Sequence, residues 1–236
     1  MTLIRASDLT KHYKGKERPA VDGVSLEIES GEVIAVVGHN GAGKSSLFDM
    51  LGGLTRPDKG SVELCVDVDE IGWCPQREII DWSLTVRQNI ALGLELRQKS
   101  FLRRGRQDLM ELSEAMGLTP YLDQTAETLS GGELRRTQIA RAMAGDPPLM
   151  ILDEPTTGLD PSGISEVFAY LERRRRDGAA AIISTHETSR FSSRCTRVIA
   201  MENGSLISDL PVGEFMSVVP QSEDLWDAYL SRVGQS

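Results

Sequence analysis

A length of 236 residues fits one large α/β domain, or a main domain with a small appendage, and a hydrophobic share of 40% supports a buried core. Asp and Glu total 35 against 26 Lys and Arg, and the resulting charge of -9 argues against a surface built to hold DNA or RNA phosphates. Cys65, Cys74 and Cys195 are too scattered for a disulfide framework or a compact metal cluster and fit a reducing compartment. No apolar run reaches the roughly 20 residues needed to cross a bilayer, and the first residues do not read as a secretion signal.

Residues 3–9 and 24–28 read as strands separated by the polar loop Lys14-Gly15-Lys16-Glu17-Arg18-Pro19. Val33-Ile34-Ala35-Val36-Val37 has the uninterrupted apolar, β-branched character of a central parallel strand. A helix is expected over 44–54, with Leu47, Phe48, Met50 and Leu51 buried, ending at Pro57-Asp58-Lys59-Gly60. The alternation of Val62, Leu64, Val66 and Val68 within 61–72 predicts antiparallel strands. Residues 84–122 change to helical spacing, around 86–90 and over 102–116, and mark a helical subdomain.

Beyond Ser130 the α/β alternation resumes, with a helix near 133–144, a strand at 149–152, a helix over 162–175 and a strand at 180–184. Residues 198–201 and 205–207 form a hairpin turned at Glu202-Asn203-Gly204. A last helix over 224–230 would bury Leu225, Trp226, Tyr229 and Leu230, while Arg173 to Arg176 reads as a solvated helix end.

Two motifs carry chemistry. Gly38-His39-Asn40-Gly41-Ala42-Gly43-Lys44-Ser45 directly follows the apolar strand and is a complete phosphate loop. Its glycines allow close approach, its N–H groups face phosphate oxygens, and the following helix adds the positive end of its dipole. Lys44 reaches the β and γ phosphates and the Ser45 hydroxyl suits Mg2+, with Ser46 next in the helix. Asp153-Glu154 ends the apolar run Leu149-Met150-Ile151-Leu152, placing Asp153 to hold Mg2+ and Glu154 to polarise an attacking water. The pair of motifs implies binding of a nucleoside triphosphate with Mg2+, and its hydrolysis.

Through these motifs the chain closely resembles the ATP-binding-cassette (ABC) ATPase family, as a stand-alone bacterial nucleotide-binding subunit, over residues 3–207. Leu129-Ser130-Gly131-Gly132-Glu133 is similar to the family signature, Gly158-Leu159-Asp160-Pro161 to its D-loop and Thr185-His186 to its switch histidine, while Tyr13 and Gln76 fit its adenine-stacking and Q-loop positions. The implied fold is α/β, a P-loop NTPase core with a mainly parallel central sheet, a small antiparallel β subdomain and an inserted α-helical subdomain. The implied partition is a core over 1–83 and 123–210, a helical subdomain over 84–122 and a short extension over 211–236.

The resemblance further implies that ATP and Mg2+ are bound, that Tyr13 stacks on adenine, that Gln76 touches Mg2+ or the attacking water, and that His186 contacts the γ phosphate. Taken singly, Tyr13 is more often an ordinary partly buried aromatic, Gln76 a solvent-facing residue and His186 a satisfied strand-end histidine, and it is their order that turns them toward ligand roles. Ser130, Gly131, Gly132 and Glu133 would complete the site of an opposite subunit, with Asp160 communicating across a head-to-tail dimer. The implied partners are a second copy or a homologous ATPase subunit and a separate transmembrane permease, at the cytoplasmic face of the inner membrane, and no nucleic acid.

The sequence departs from the family pattern at Glu133, where Gln is usual, and in a short interval between Lys44 and Gln76. Ile79, Ile80, Trp82 and Leu84 would either floor a docking site for a permease helix or simply pack the subdomain. Residues 81–96 and the brief aromatic tail resemble the export branch. A non-transport ATPase serving a soluble assembly complex is the alternative reading.

Overall fold

The computed structural model describes residues 1–97 and 103–234. The central sheet runs in the order β5 (Ile71–Cys74), β6 (Leu149–Asp153), β7 (Ala180–Ser184), β3 (Val33–Val37), β8 (Arg197–Glu202) and β9 (Ser205–Pro211). Every pairing from β5 to β8 is parallel, and only the β8–β9 hairpin is antiparallel. Strands β3, β6 and β7 are buried at every position, as their unbroken apolar runs predict for a sheet covered on both faces.

Alternate side chains feed two cores. Val33, Ala35, Val37, Met150 and Leu152 point into the first, with α2 (Val86–Leu96), α3 (Arg103–Ala115), α4 (Gly131–Met143) and α5 (Pro161–Arg176). Ile34, Val36, Leu149 and Ile151 point into the second, together with α1 (Lys44–Leu51) and a three-stranded antiparallel sheet. That sheet has β1 (Thr2–Lys11) between β2 (Val21–Glu29) and β4 (Lys59–Leu64), so Ala6 lies opposite both Leu26 and Val62.

The inserted helices share the first core rather than forming their own: Val86, Ile90, Leu94, Leu109 and Leu112 are all part of it. A capping box between Thr85 and Gln88 starts α2. Gly93 brings α2 against α4, since a Cβ there would stand 2.1 Å from the Arg141 carbonyl oxygen. Short helices α6 (Thr188–Phe191) and α7 (Val212–Met216), then α8 (Leu225–Val233), complete the chain's described elements.

Three expectations differ from the structure, and one reaches beyond the described residues. Of the antiparallel strands expected over 61–72, only β4 forms; Val68 sits in a 3-10 turn over Val68–Glu70, and the following strand β5 joins the main sheet in parallel with β6. In α8, Leu230 is 45% exposed and Ala228 takes the buried position expected of it. The helix expected over 102–116 is described from Arg103, and residue 102 lies outside the described residues. Helix α1 ends at Leu51, before the expected residue 54.

Candidate nucleotide site

The phosphate loop leaves the C-terminal end of β3 and enters α1 through Gly43, whose φ of 106° lies in the left-handed region and whose Cβ, if present, would stand 2.2 Å from the Ala20 carbonyl oxygen. A side chain there would break the loop. No side chain caps the first turn of α1, so its N–H groups remain an anion site. Lys44 Nζ donates to the carbonyl oxygens of Gly38 at 2.6 Å and His39 at 3.2 Å, which leaves one of its three protons for a ligand. Burial lowers the Lys44 pKa, opposed by the negative charges of Glu154 and Asp153.

A cleft of about 640 Å³ opens on this loop. Asn40, Gly41, Gly43, Lys44, Ser45 and Ser46 line it from the phosphate loop, Gln76 from the end of β5, Asp153 and Glu154 from the end of β6, His186 after β7, and Tyr13 after β1. Residues from the ends of four central-sheet strands, and Tyr13 from the smaller sheet, thus converge, as is usual for ligand sites of open α/β sheets. Gly38, His39 and Ala42 are not among the lining residues; the His39 ring instead meets Trp226 and Tyr229 of α8 edge-on, with centroids at 4.9 and 5.4 Å.

The two carboxylates are held differently. Asp153 Oδ1 accepts the Ser184 hydroxyl at 2.5 Å, and Ser184 Oγ in turn accepts the Glu154 backbone N–H at 2.9 Å. Glu154 adopts a φ of 50°, a left-handed conformation uncommon outside glycine. Its side chain is 6% exposed, with Oε1 3.3 Å from His186 Nε2 and Oε2 buried without a hydrogen-bond partner. Burial raises the Glu154 pKa, against the opposing pull of His186 and Lys44, while Asp153 adds to the rise. A buried, under-satisfied carboxylate of raised basicity beside an anion-binding loop has the attributes of a general base.

Ser45, Asp153 and Gln76 offer hydroxyl, carboxylate and amide oxygens, a hard donor set suited to Mg2+. Among the described residues no group of three or more His, Cys, Asp or Glu gathers as a metal site. Three such donors leave positions in an octahedral Mg2+ shell for phosphate oxygens and water.

Ser130, Gly131, Gly132, Glu133 and Asp160 do not line the cleft. Ser130 caps α4 in a reciprocal box, its Oγ accepting from the Glu133 N–H at 3.4 Å while the Glu133 carboxylate accepts from the Ser130 N–H at 2.7 Å. That hydrogen bond is the main reason the Glu133 pKa is lowered, so the residue standing in place of Gln serves the cap as a charged acceptor. Asp160 caps α5 through the Gly163 N–H at 2.9 Å and accepts from Arg136 at 2.9 Å.

Sequence reasoning missed Ser184, which ties Asp153 to Glu154, and Arg135, whose guanidinium meets the backbone around both. Ser184 was readable as the polar end of an apolar strand beside the carboxylate pair. Arg135 carried no local signal beyond its place on a helix with few apolar positions.

The ABC transporter family model matches residues 21–157. The lipopolysaccharide export system ATP-binding protein LptB of Haemophilus influenzae is 33% identical over 221 residues, covering 88% of this chain and 90% of that protein. The methionine import ATP-binding protein MetN of Geobacillus kaustophilus is 35% identical over 232 residues, covering 92% of this chain and 67% of that protein. A solved dimeric ATP-binding cassette in a post-hydrolysis state, bound to ADP and Pi, matches with a TM-score of 0.81 and 25% identity over 89% of this chain and 99% of that one. The chain belongs to the ABC transporter family, as an ATP-binding cassette ATPase.

Proposed function

We propose that this chain is the ATP-hydrolysing subunit that powers translocation by a separate membrane permease, working as a dimer and in the export direction. The convergence of Lys44, Ser45, Gln76, Asp153, Glu154 and His186 on one cleft, with Ser130 to Gly132 outside it, carries this reading. Tyr13 stacks on adenine, the loop of residues 38–46 and Lys44 hold the β and γ phosphates, and Ser45, Asp153 and Gln76 hold Mg2+. Bound Mg2+ supplies charge neutralisation on the phosphates. Glu154 accepts a proton from the attacking water as its oxygen bonds to the γ phosphorus and the bond to the β,γ-bridging oxygen breaks, releasing ADP and phosphate. His186, within reach of Glu154, contacts the γ phosphate.

Ser130, Gly131, Gly132 and Glu133 complete the partner's site, with Asp160 at the seam. The helical subdomain over 84–122 carries the permease contact, and within the extension over 211–236 helix α8 packs on the core through Leu225, Ala228 and Tyr229. The chain attaches to the membrane peripherally, through the permease on the cytoplasmic side; among the described residues no helix is long and apolar enough to cross a membrane.

A second, open groove is lined by Ile79, Ile80, Asp81, Trp82, Ser83, Leu92 and Arg141. Leu84, expected in its floor, is not among these residues, and Leu92 contributes instead. Trp82 is 47% exposed, which favours docking over internal packing. The export assignment draws on the likeness to the export relative along 90% of that protein's length. Detergent co-purification of the tagged chain should recover a multi-span protein, and Trp82→Ala should reduce that recovery about tenfold or more at unchanged Tm. Recovery of soluble factors alone, or of a permease with an import-type solute-binding protein, overturns the transport or the export reading respectively.

A further inference from the structure

Helix α4 carries three long polar side chains at Arg135, Gln138 and Arg141, spaced to lie along one side of the helix, and all three donate to the backbone flanking Gln76. Arg135 Nη1 reaches the Pro75 carbonyl at 2.9 Å, Gln138 Nε2 reaches Pro75 at 3.0 Å and Arg77 at 2.9 Å, and Arg141 Nη1 reaches Ile79 at 2.7 Å. The Arg135 fork turns at the same time to the catalytic strand end. Its Nη2 donates to the carbonyls of Asp153 at 2.9 Å and Glu154 at 2.7 Å, and its Nε to Pro155 at 3.2 Å.

Arg135 is 7% exposed, and none of these hydrogen bonds goes to a carboxylate. Burying a guanidinium against neutral carbonyls is costly, and an apolar side chain would fill the space without that cost. What the planar fork does, and an apolar residue cannot, is bind two separate segments at fixed geometry. One of them is the left-handed turn at Glu154, whose carbonyl it grips.

We propose that Arg135 is a positioning residue that links the two nucleotide sites of the dimer. Helix α4 begins at Ser130 to Gly132, and Arg135 lies five residues on, about 7.5 Å along the axis at 1.5 Å per residue. When those first residues engage the partner's ATP, α4 shifts as a rigid rod. Arg135 carries the shift to Glu154 and, with Gln138, to Gln76 of its own subunit. Occupation of one site thereby aligns the catalytic groups of the other. This inference rests on the reading of the chain as an ATP-bridged dimer.

The test uses the full chain with ATP, comparing wild type, Arg135→Lys and Gln138→Met for Tm, single-site ATP affinity and steady-state hydrolysis. Wild type should hydrolyse ATP cooperatively, with a Hill coefficient of about 1.5 to 2. Arg135→Lys keeps the charge but loses the fork, and its Hill coefficient should fall to about 1 and its kcat about tenfold, with ATP affinity within about twofold. A folded Arg135→Lys variant with the wild-type Hill coefficient overturns the inference, because a purely structural brace changes Tm and leaves cooperativity alone. If that variant does not fold, Gln138→Met decides: a lowered Hill coefficient supports the link and an unchanged one overturns it. Wild type that stays monomeric by size-exclusion with a non-hydrolysable ATP analogue overturns the dimer reading itself, which separates the two failures.

Discussion

Replacing Glu154 by Gln tests the proposed chemistry most directly, because the exchange preserves shape and removes only the carboxylate. The side chain is 6% exposed, Oε1 lies 3.3 Å from His186 Nε2, and Oε2 is buried without a hydrogen-bond partner. A positioned general base contributes about 10²- to 10⁴-fold, which is about 2.7 to 5.5 kcal/mol of barrier at 1.36 kcal/mol per decade. The groups assigned to ATP binding are untouched, so affinity should hold or rise as a negative charge near the γ phosphate is lost. The expected result is tight binding of fluorescent ATP with phosphate release in a single turnover slowed by at least about a hundredfold.

The pH dependence follows from the raised Glu154 pKa, caused first by burial. The base must be ionised, so the wild-type rate should fall as pH drops through that elevated value, and the variant's residual rate should lack this acidic limb. Stability moves oppositely. With the folded pKa above its ordinary value, the protonated group's contribution is complete below the ordinary glutamate range and is lost as pH rises through the folded value. The Gln variant should therefore melt above wild type at pH 8, the gap closing in acid. Hydrolysis within about tenfold of wild type, with the acidic limb retained, would refute the role of Glu154.

Tyr13 is 38% exposed at the mouth of the cleft; Tyr13→Ala should weaken ATP by the 1 to 3 kcal/mol of a base-stacking contact, roughly 5- to 150-fold, while competition by inorganic tripolyphosphate stays unchanged. Equal loss for both ligands would remove the adenine from that end. Trp226 packs on His39 of the phosphate loop at 4.9 Å, and Trp226→Ala should cost about 0.5 to 1.5 kcal/mol of aromatic contact beyond lost burial, seen as a lower Tm together with a raised KM for ATP. A lower Tm with unchanged KM would make α8 a scaffold with no hold on the loop. The Trp82 and Arg135 variants complete the set.

Much of this architecture was legible in the chain because the elements obey one dominant rule each. Strands β3, β6 and β7 are buried on both faces and so announce themselves as unbroken apolar runs, and the phosphate loop needs glycine at Gly43 whatever surrounds it. Residues 61–72 were misread because alternation of Val62, Leu64, Val66 and Val68 is a local pattern, whereas the assignment of β5 to the main sheet depends on β6, far along the chain. Leu230 was expected inside on hydrophobicity alone, although helical geometry turns it away from Leu225 and Tyr229. Arg135 and Gln138 were illegible for a related reason: polar residues on a helix suggest solvent, and only the backbone carbonyls arriving from Pro75 and Glu154 make their burial tenable.

Strand β3 carries the phosphate loop, yet its neighbours in the sheet are β7 and β8, each made more than a hundred residues after it. During synthesis the nascent β3 therefore waits with both hydrogen-bonding edges bare, an adhesive stretch of five apolar residues, until residues near 200 have left the ribosome. Loss of the later strands would strand the loop without its scaffold.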